Sequence, residues 1–391
     1  MPSRPTPSSR PKVLVLTAGF GEGHNAAARA VVAACDEIQG PGTATLADLF
    51  ALTSPRLNEI SRQAYLTVIN GMPRFWSRAY AWMDRSTLLP RTFSWLGRDL
   101  RKLAQLVRED GPGVICSTYP VYAFLVEKLR RESLVDVPHF NVVTDSISIN
   151  SLWWRAGCSG WFVPNEDTAS VMRAAGVDAS RLCVSGFPVD PVFNNRSPGD
   201  SPPDIAAAGR ARVLVIVNSG SRAAASIARK LLVEDTWEVT CAVGRDDGLR
   251  RELQAVADLR RNPATILGWT REMPRLMMTH HVVVSKAGGA TTQEAIAAGC
   301  PMIVTQVVPG QEEGNYELMR RHSAGLLATT PGEVAGALRR CFANEGAVLR
   351  AWRSGVAGLA HPGAARTIAT RLLAVAGESQ PMPATEAALQ P

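Results

Sequence analysis

The sequence predicts an α/β protein built as two doubly wound, Rossmann-like domains facing across a cleft. Three observations predict it. At 391 residues the chain is too long for one ordinary core and suits two. Its apolar runs are short, continuous and bounded by glycine or polar residues, as in strands buried on both faces of a parallel sheet. These runs alternate with helical stretches twice, once on each side of NNRSPGDSPPDIAAAGR (194–210), which reads as a linker. The expected division is a disordered start at 1–11, a first domain at 12–193, a linker at 194–211, a second domain at 212–376 and a disordered tail at 377–391.

The first half opens with the strand KVLVLTA (12–18), a glycine loop and an alanine-rich helix from about Ala26 to Ile38. VICST, HFNVVTD, GWFVPN and LCVSG supply its further strands. The second half opens with RVLVIVN (212–218) and a helix to about Leu232, then continues through WEVTCAVG, ATILGW, HVVVSKA and PMIVTQ. After HVVVS a helix is expected to start near Thr291 and stop at Gly299. Ligands of such sheets bind beyond the carboxyl ends of the strands, so the loops there are the places to look for function.

Composition narrows the class. No stretch reaches the roughly 18 uninterrupted apolar residues of a membrane span, and MPSRPTPSSR lacks the apolar core of a signal peptide. A cytoplasmic protein is expected. Seven scattered cysteines without a CxxC pair suit free, mostly buried thiols, not a disulfide frame or a zinc site. The net charge of +7 suits an anionic membrane, a phosphorylated substrate or nucleic acid.

Three segments can carry chemistry. In KAGGATTQE (286–294), Gly288 and Gly289 enter a helix whose backbone N–H groups and dipole favour an anion. Thr291 and Thr292 can cap that helix or donate to phosphate oxygens. Glu294, expected ionised in the first turn, can accept from two adjacent hydroxyls such as those of a ribose. Alone, the segment suits a glycine turn with a capping-type glutamate as well. PGQEEGN (309–315) occupies the next loop at the same sheet edge. Its Gln311, Glu312 and Glu313 are expected outside the core, as solvated surface or as a rim that reads hydroxyls, with Asn315 beginning the next helix. TAGFGEGHNAAARA holds Gly19, Gly21 and Gly23, then His24 where a dinucleotide fingerprint would want a third glycine, and Asp48 matches that fingerprint's acid only loosely. A histidine held in a glycine loop at a cleft suits general base work, with a histidine that caps its own helix as the alternative.

VLVLTAGFGEGHNAAARAV, VVTDSISINSLWW with FVPNEDTA, VSGFPVDPVF, and KAGGATTQEAIAAGCPMIVTQVVPGQEEGN together resemble the monogalactosyldiacylglycerol synthase and processive diacylglycerol glucosyltransferase family. That family lies in glycosyltransferase family 28, with the GT-B fold. The resemblance spans roughly residues 12–375. It implies His24 as the base or acceptor-positioning residue and Asp145 beside it on the acceptor side. It implies a diphosphate cradle at Gly288, Gly289, Ala290, Thr291 and Thr292 with Gly23 facing it, Glu294 on the ribose, and Gln311 and Glu312 on the donor sugar. Trp269 and Thr270 fall where the family meets uracil. Where the family has a glycine-rich loop, this chain has Asn218, Ser219, Gly220, Ser221 and Arg222, with Arg222 available to a phosphate. Tyr119 stands where related sequences have histidine.

Between Ala51 and Asp110 ten basic residues face five acidic ones, interleaved with Phe75, Trp76, Tyr80, Trp82, Phe93 and Trp95. This mix suits anionic lipid headgroups, a solvated helix face packed on the sheet, or stacking on single-stranded nucleic acid. The resemblance favours the lipid and not nucleic acid. The expected activity is inverting transfer of a hexose from UDP-glucose or UDP-galactose to a lipid hydroxyl, foremost diacylglycerol, at the cytoplasmic face of a membrane. No pair of aspartates has D-x-D spacing, so no metal or other cofactor is expected. The rivals are transfer to another acceptor, a related epimerase, and a catalytically silent, sugar-nucleotide-binding membrane scaffold.

Overall fold

The computed structural model describes residues 12–19, 22–56, 97–197, 199–205, 210–217, 222–310 and 312–378. Most of the basic, aromatic segment at 51–110 lies outside these residues, as do Asn218 and Gln311.

In chain order the first half runs β1 (Val13–Leu16), α1 (Glu22–Gln39), β2 (Ala44–Ala47), α2 (Leu49–Thr53), α3 (Gly97–Asp110), β3 (Val114–Ser117), α4 (Val121–Arg131), β4 (His139–Val142), α5 (Leu152–Arg155), β5 (Gly160–Val163), α6 (Glu166–Ala174) and β6 (Leu182–Val184). The second half runs β7 (Arg212–Ile216), α7 (Arg222–Glu234), β8 (Glu238–Ala242), α8 (Asp247–Ala257), β9 (Ala264–Leu267), α9 (Met273–Thr279), β10 (Val282–Ser285), α10 (Gly289–Ala298), β11 (Met302–Val304), α11 (Glu313–Arg321), β12 (Gly325–Leu327), α12 (Pro331–Phe342), α13 (Ala347–Ala357) and α14 (Ala364–Glu378).

Both sheets are six-stranded, with orders β2-β1-β3-β4-β5-β6 and β12-β11-β10-β7-β8-β9. Every strand pair is parallel. β1, β3, β5 and β10 are buried along their whole length, as their unbroken apolar or small-residue sequences require, and β4 is buried too, its His139 and Asn141 both within hydrogen-bond distance of Ser117 Oγ. Each order reverses once, between β1 and β3 in the first sheet and between β7 and β10 in the second. Loops part at such a switch point and leave a crevice. The loop after β1 leads there into the first turn of α1 with His24, and the loop after β10 leads into α10 with the rest of KAGGATTQE.

Local chemistry sets the helix ends. Asn165 and Asp246 cap α6 and α8 through their side chains, and Thr330 with Glu333 forms a capping box around Pro331 at the start of α12. Gly299 closes α10 in the left-handed conformation, φ 69°, where it was expected to stop. Two starts differ from expectation. α1 begins at Glu22 rather than Ala26, and α10 at Gly289 rather than Thr291, because tertiary packing extends both helices through glycines of poor intrinsic propensity.

The last helix also departs from the expected division. α14 leaves the second sheet and packs on the first, where Ile368, Ala369 and Leu372 are fully buried among Val13, Val31, Val114 and Phe140. Residues 364–376 therefore belong to the first core. Six of the seven cysteines are buried in these cores, and burial pushes the thiols of Cys35, Cys158, Cys241, Cys300 and Cys341 up to about 12, which leaves them unreactive.

Leu372→Ala should destabilise the protein by about 2–5 kcal/mol, the usual cost of emptying a fully buried leucine site. Urea unfolding followed at first-half tryptophans such as Trp153 and Trp161 should show the loss. An unchanged midpoint would mean that α14 is peripheral to that core.

Candidate active site

His24 sits in the first turn of α1, not in the preceding loop as its glycine-rich flanks suggest. Its Nδ1 donates to the carbonyl oxygen of Thr118, just past β3, at 2.7 Å, and Thr144 Oγ1 lies 2.8 Å from the same nitrogen. Thr118 Oγ1 in turn donates to the His24 carbonyl at 3.0 Å. A carbonyl oxygen can only accept, so Nδ1 carries the proton and the neutral ring presents its lone pair at Nε2. Among the described residues, none hydrogen-bonds Nε2. Tyr119 meets the imidazole edge-on at 5.1 Å between centroids.

Asp145 is the charged neighbour of this ring. Its Oδ2 accepts from Trp153 Nε1 at 2.8 Å, and Trp153 is fully buried, with its own carbonyl bonded by Trp161 Nε1. Burial holds His24 below its ordinary 6.5, while the Asp145 carboxylate and the Thr118 carbonyl pull the other way. Burial likewise raises Asp145, opposed by His24 and the Trp153 indole. Asp48 serves the loop instead of a ribose: its carboxylate accepts from Gly19 N at 2.9 Å and Ala51 N at 3.0 Å.

Facing this group across the crevice is the start of α10. Gly288 is its N-cap without a side-chain capping bond, so the first backbone N–H groups stay available to an anion. A Cβ at Gly23 would lie 3.7 Å from the Ala290 nitrogen, and one at Gly289 would lie 3.7 Å from the Thr144 carbonyl oxygen. Thr291 is half-buried. Thr292 is fully buried and its hydroxyl has no partner, so it does not line the crevice as expected. Trp269 projects beyond β9, 62% exposed, with the Arg271 guanidinium 5.8 Å from its ring centre, and Thr270 Oγ1 accepts from Glu272 N. Arg222 opens α7.

Two further expectations are corrected here. Glu312 is buried, 5% exposed, instead of standing on a solvated or hydroxyl-reading rim. It pairs with Lys286 at 2.5 Å and accepts from Val308 N at 3.0 Å, so its carboxylate closes the loop and neutralises a cation beside Gly288. The following helix begins at Glu313, two residues before Asn315, whose Nδ2 donates to the Ala287 carbonyl. The signal for this pairing was the lysine that precedes the two glycines.

Comparisons with known proteins bear on the family and the fold. A family model for monogalactosyldiacylglycerol (MGDG) synthase matches residues 24–189, and one for the glycosyltransferase family 28 C-terminal domain matches residues 214–333. The chain belongs to glycosyltransferase family 28. A processive diacylglycerol β-glucosyltransferase of Bacillus subtilis (strain 168) is 24% identical over 338 residues, 85% of this chain and 87% of that protein. The glycosyltransferase also shares its fold with MurG of Acinetobacter baumannii, at TM-score 0.56 and 17% identity over 93% and 99% of the two chains. Os79 of O. sativa in complex with UDP superposes at TM-score 0.62 with 12% identity, over 94% and 100%. The fold is GT-B.

In this glycosyltransferase Glu294 lies in the second turn of α10, not the first. Burial, then the Asp190 and Glu22 carboxylates, push it up to about 7, against the pull of Arg29. It is therefore not fully ionised at neutral pH as expected. Glu22 opens α1 and Asp190 follows β6, both far away in sequence, so no local pattern could reveal the shift. Among the described residues no group of three His, Cys, Asp or Glu side chains could hold a metal ion.

A raised carboxylate opposes folding once it ionises, because the folded state holds its proton more tightly than the unfolded chain. Glu294→Gln should therefore raise the melting temperature at pH 8, where the native side chain is charged, and change it little at pH 4, below the ordinary 4.5 of the unfolded chain, where both states hold the proton. Equal shifts at both pH values would show that its protonation is not coupled to folding.

Proposed function

We propose that the protein moves a hexose from UDP-glucose or UDP-galactose to the hydroxyl of a lipid, foremost diacylglycerol, with inversion at the anomeric carbon. One observation carries the reading: a histidine with Nδ1 locked to a carbonyl and Nε2 left free, beside a helix N-terminus stripped of side chains by glycines.

In the proposed step Nε2 of His24 takes the proton of the acceptor hydroxyl as its oxygen attacks the anomeric carbon. The bond to the diphosphate breaks on the opposite face, and UDP departs with the electron pair. Asp145 steadies the imidazolium that forms. The growing negative charge meets the backbone N–H groups of Gly288–Ala290 and the dipole of α10, an electrostatic effect of several kcal/mol. Lys286, held by Glu312, keeps its ammonium as a hydrogen-bond donor beside the same turn, with its charge balanced by that carboxylate. Glu294 accepts from the ribose hydroxyls, and Trp269 with Thr270 receives the uracil. Gln311, Asn218 and Arg222 keep their proposed places around sugar and phosphate. No metal is required in this scheme.

The acceptor side rests on the family match to the first half and on the basic, aromatic segment at 51–110. In its described part, α3 buries Leu100, Leu103 and Ala104 and exposes Arg98, Arg101 and Arg108, so a packed face and an anion-facing one coexist. No helix among the described residues is long and apolar enough to cross a membrane. Peripheral association with the cytoplasmic membrane face is the proposed location.

Incubation with labelled UDP-glucose or UDP-galactose and diacylglycerol liposomes should place label in the lipid extract. Tight UDP binding with no labelled lipid from either donor would sink the diacylglycerol assignment and leave the scaffold reading. His24→Ala should lower transfer by about 10²–10⁴-fold, the usual worth of a general base, while sparing UDP affinity. Because a base must be deprotonated and burial depresses this one, the acid limb of kcat/KM should lie below 6.5.

A further inference from the structure

We infer that Gln293, on the donor-side helix α10, is a positioning residue for the base on the other half. It holds the loop at 144–148 in its working shape only when the two halves are together. This rests on the glycosyl transfer proposed above. The loop follows β4 and brings Thr144 and Asp145 to His24.

Its backbone is strained at one residue. Ser148 N donates to Ser146 O at 2.6 Å, which closes a three-residue turn on Ile147 at φ 55°. Turns of this positive-φ kind are rare, and a β-branched residue at such a φ is an outlier that persists only where surrounding contacts over-determine it. Besides the bonds of Thr144 to His24 and of Asp145 to Trp153, Ser146 and Ile147 have two ties on their own half: Ile147 N donates to Thr168 Oγ1 at 3.1 Å, and Asn165 Nδ2 reaches Ser146 Oγ at 3.4 Å.

The remaining contacts come from the second half. Gln293 Nε2 donates to Ser146 Oγ at 3.0 Å with both residues buried. Ile147 packs against the core that holds Met277, Ala295 and Leu318. Gly314, at the start of α11, lies so close that a Cβ there would collide with the Ser146 carbonyl oxygen. Gln293 is a costly residue to bury unless its amide is bonded, and its bond crosses the crevice. When the halves part, Ser146 and Ile147 lose these contacts together, the turn relaxes, and Thr144 and Asp145 shift away from the imidazole. The base is then set only around a closed site, which limits transfer of the sugar to water.

Gln293→Ala and Ser146→Ala, one on each half, test this without relying on either variant alone. Each should lower kcat about tenfold or more, since misplacement of about 1 Å at a reacting group costs up to 100-fold, with KM for the UDP-sugar and affinity for UDP within about twofold of normal. The double variant should be no worse than the singles. Amides at 146–149 should exchange faster with deuterium in both variants, with those of α10 unchanged. A normal kcat, a kcat loss matched by lost UDP affinity, multiplicative losses in the double variant, or unchanged exchange each overturns the inference. If the unaltered protein is inert with diacylglycerol, the acceptor assignment fails, and hydrolysis of the donor, which needs the same base, replaces transfer as the readout. The exchange measurement needs no acceptor at all.

Discussion

The first turn of α1 lies against the first turn of α10, and the rest of the crevice depends on that approach. Gly23 sits at this contact, where a Cβ would lie 3.7 Å from the Ala290 nitrogen, an ordinary van der Waals distance. Each helix start carries about half a positive charge on unpaired N–H groups, so their meeting concentrates positive potential in one place. Such a meeting is unfavourable without an anion and favourable with one. α1 is held in place from behind, because α14 returns from the end of the chain to pack across it on the first sheet. Ala27, one turn beyond His24, is buried in the second half's core. One helix thus belongs to both halves, and the base rides on it.

Burial is used in two opposite senses around this contact. It lowers the affinity of His24 for a proton and raises that of Glu294. The Glu294 shift costs stability above the ordinary carboxylate value of 4.5, and the His24 shift only below 6.5, where a free imidazole would take up a proton. Structural carboxylates here behave differently. Asp235, bonded by the backbone of Asn262 and Arg261, and Glu317, bonded by Arg320 and Arg321, titrate low. The contrast between supported carboxylates at the periphery and an unsupported one in the crevice is what a binding site produces when its ligand supplies the missing partners.

Much of this was legible in the sequence, for identifiable reasons. Strands such as VLVL and VVVS are read easily because both of their faces are buried and no polar residue interrupts them. The loops beyond the strand ends could be listed from strand–helix alternation alone, but the two that flank the switch points follow only from the strand order. The start of α1 could not, because Glu22, Gly23 and His24 show no apolar period and are helical only through contact with Ala290 and Thr118. The alanine-rich pattern of α14 announces a buried face but not which sheet buries it. Thr118 and Thr144 orient His24 from 94 and 120 residues away, and although Thr144 falls in the VVTD motif, nothing in the sequence pairs either threonine with the histidine. Glu312 was misread for a related reason: a glutamate between glycines looks solvated unless its cation, here Lys286, is known to lie beside it.

The ties across the crevice are unequal, and the inequality matters for turnover. Arg321 and His322 reach Asp167 at 2.9 and 3.2 Å, but these side chains are partly exposed, and such pairs contribute about 0–1 kcal/mol each. The buried Gln293–Ser146 bond adds about 1 kcal/mol net by the usual measure. Against this, α14 commits Ile368, Leu372 and Ala369 fully to the first core. The chain crosses between halves near Gly186 and again near His361, and the two crossings pass side by side because Gly186, at φ 87°, leaves no Cβ in the way. A permanent attachment at the crossings with weak ties at the mouth is the arrangement of a hinge. It lets the site close for about the energy that a bound diphosphate can supply and reopen once the product has left, and in many enzymes that reopening limits the rate.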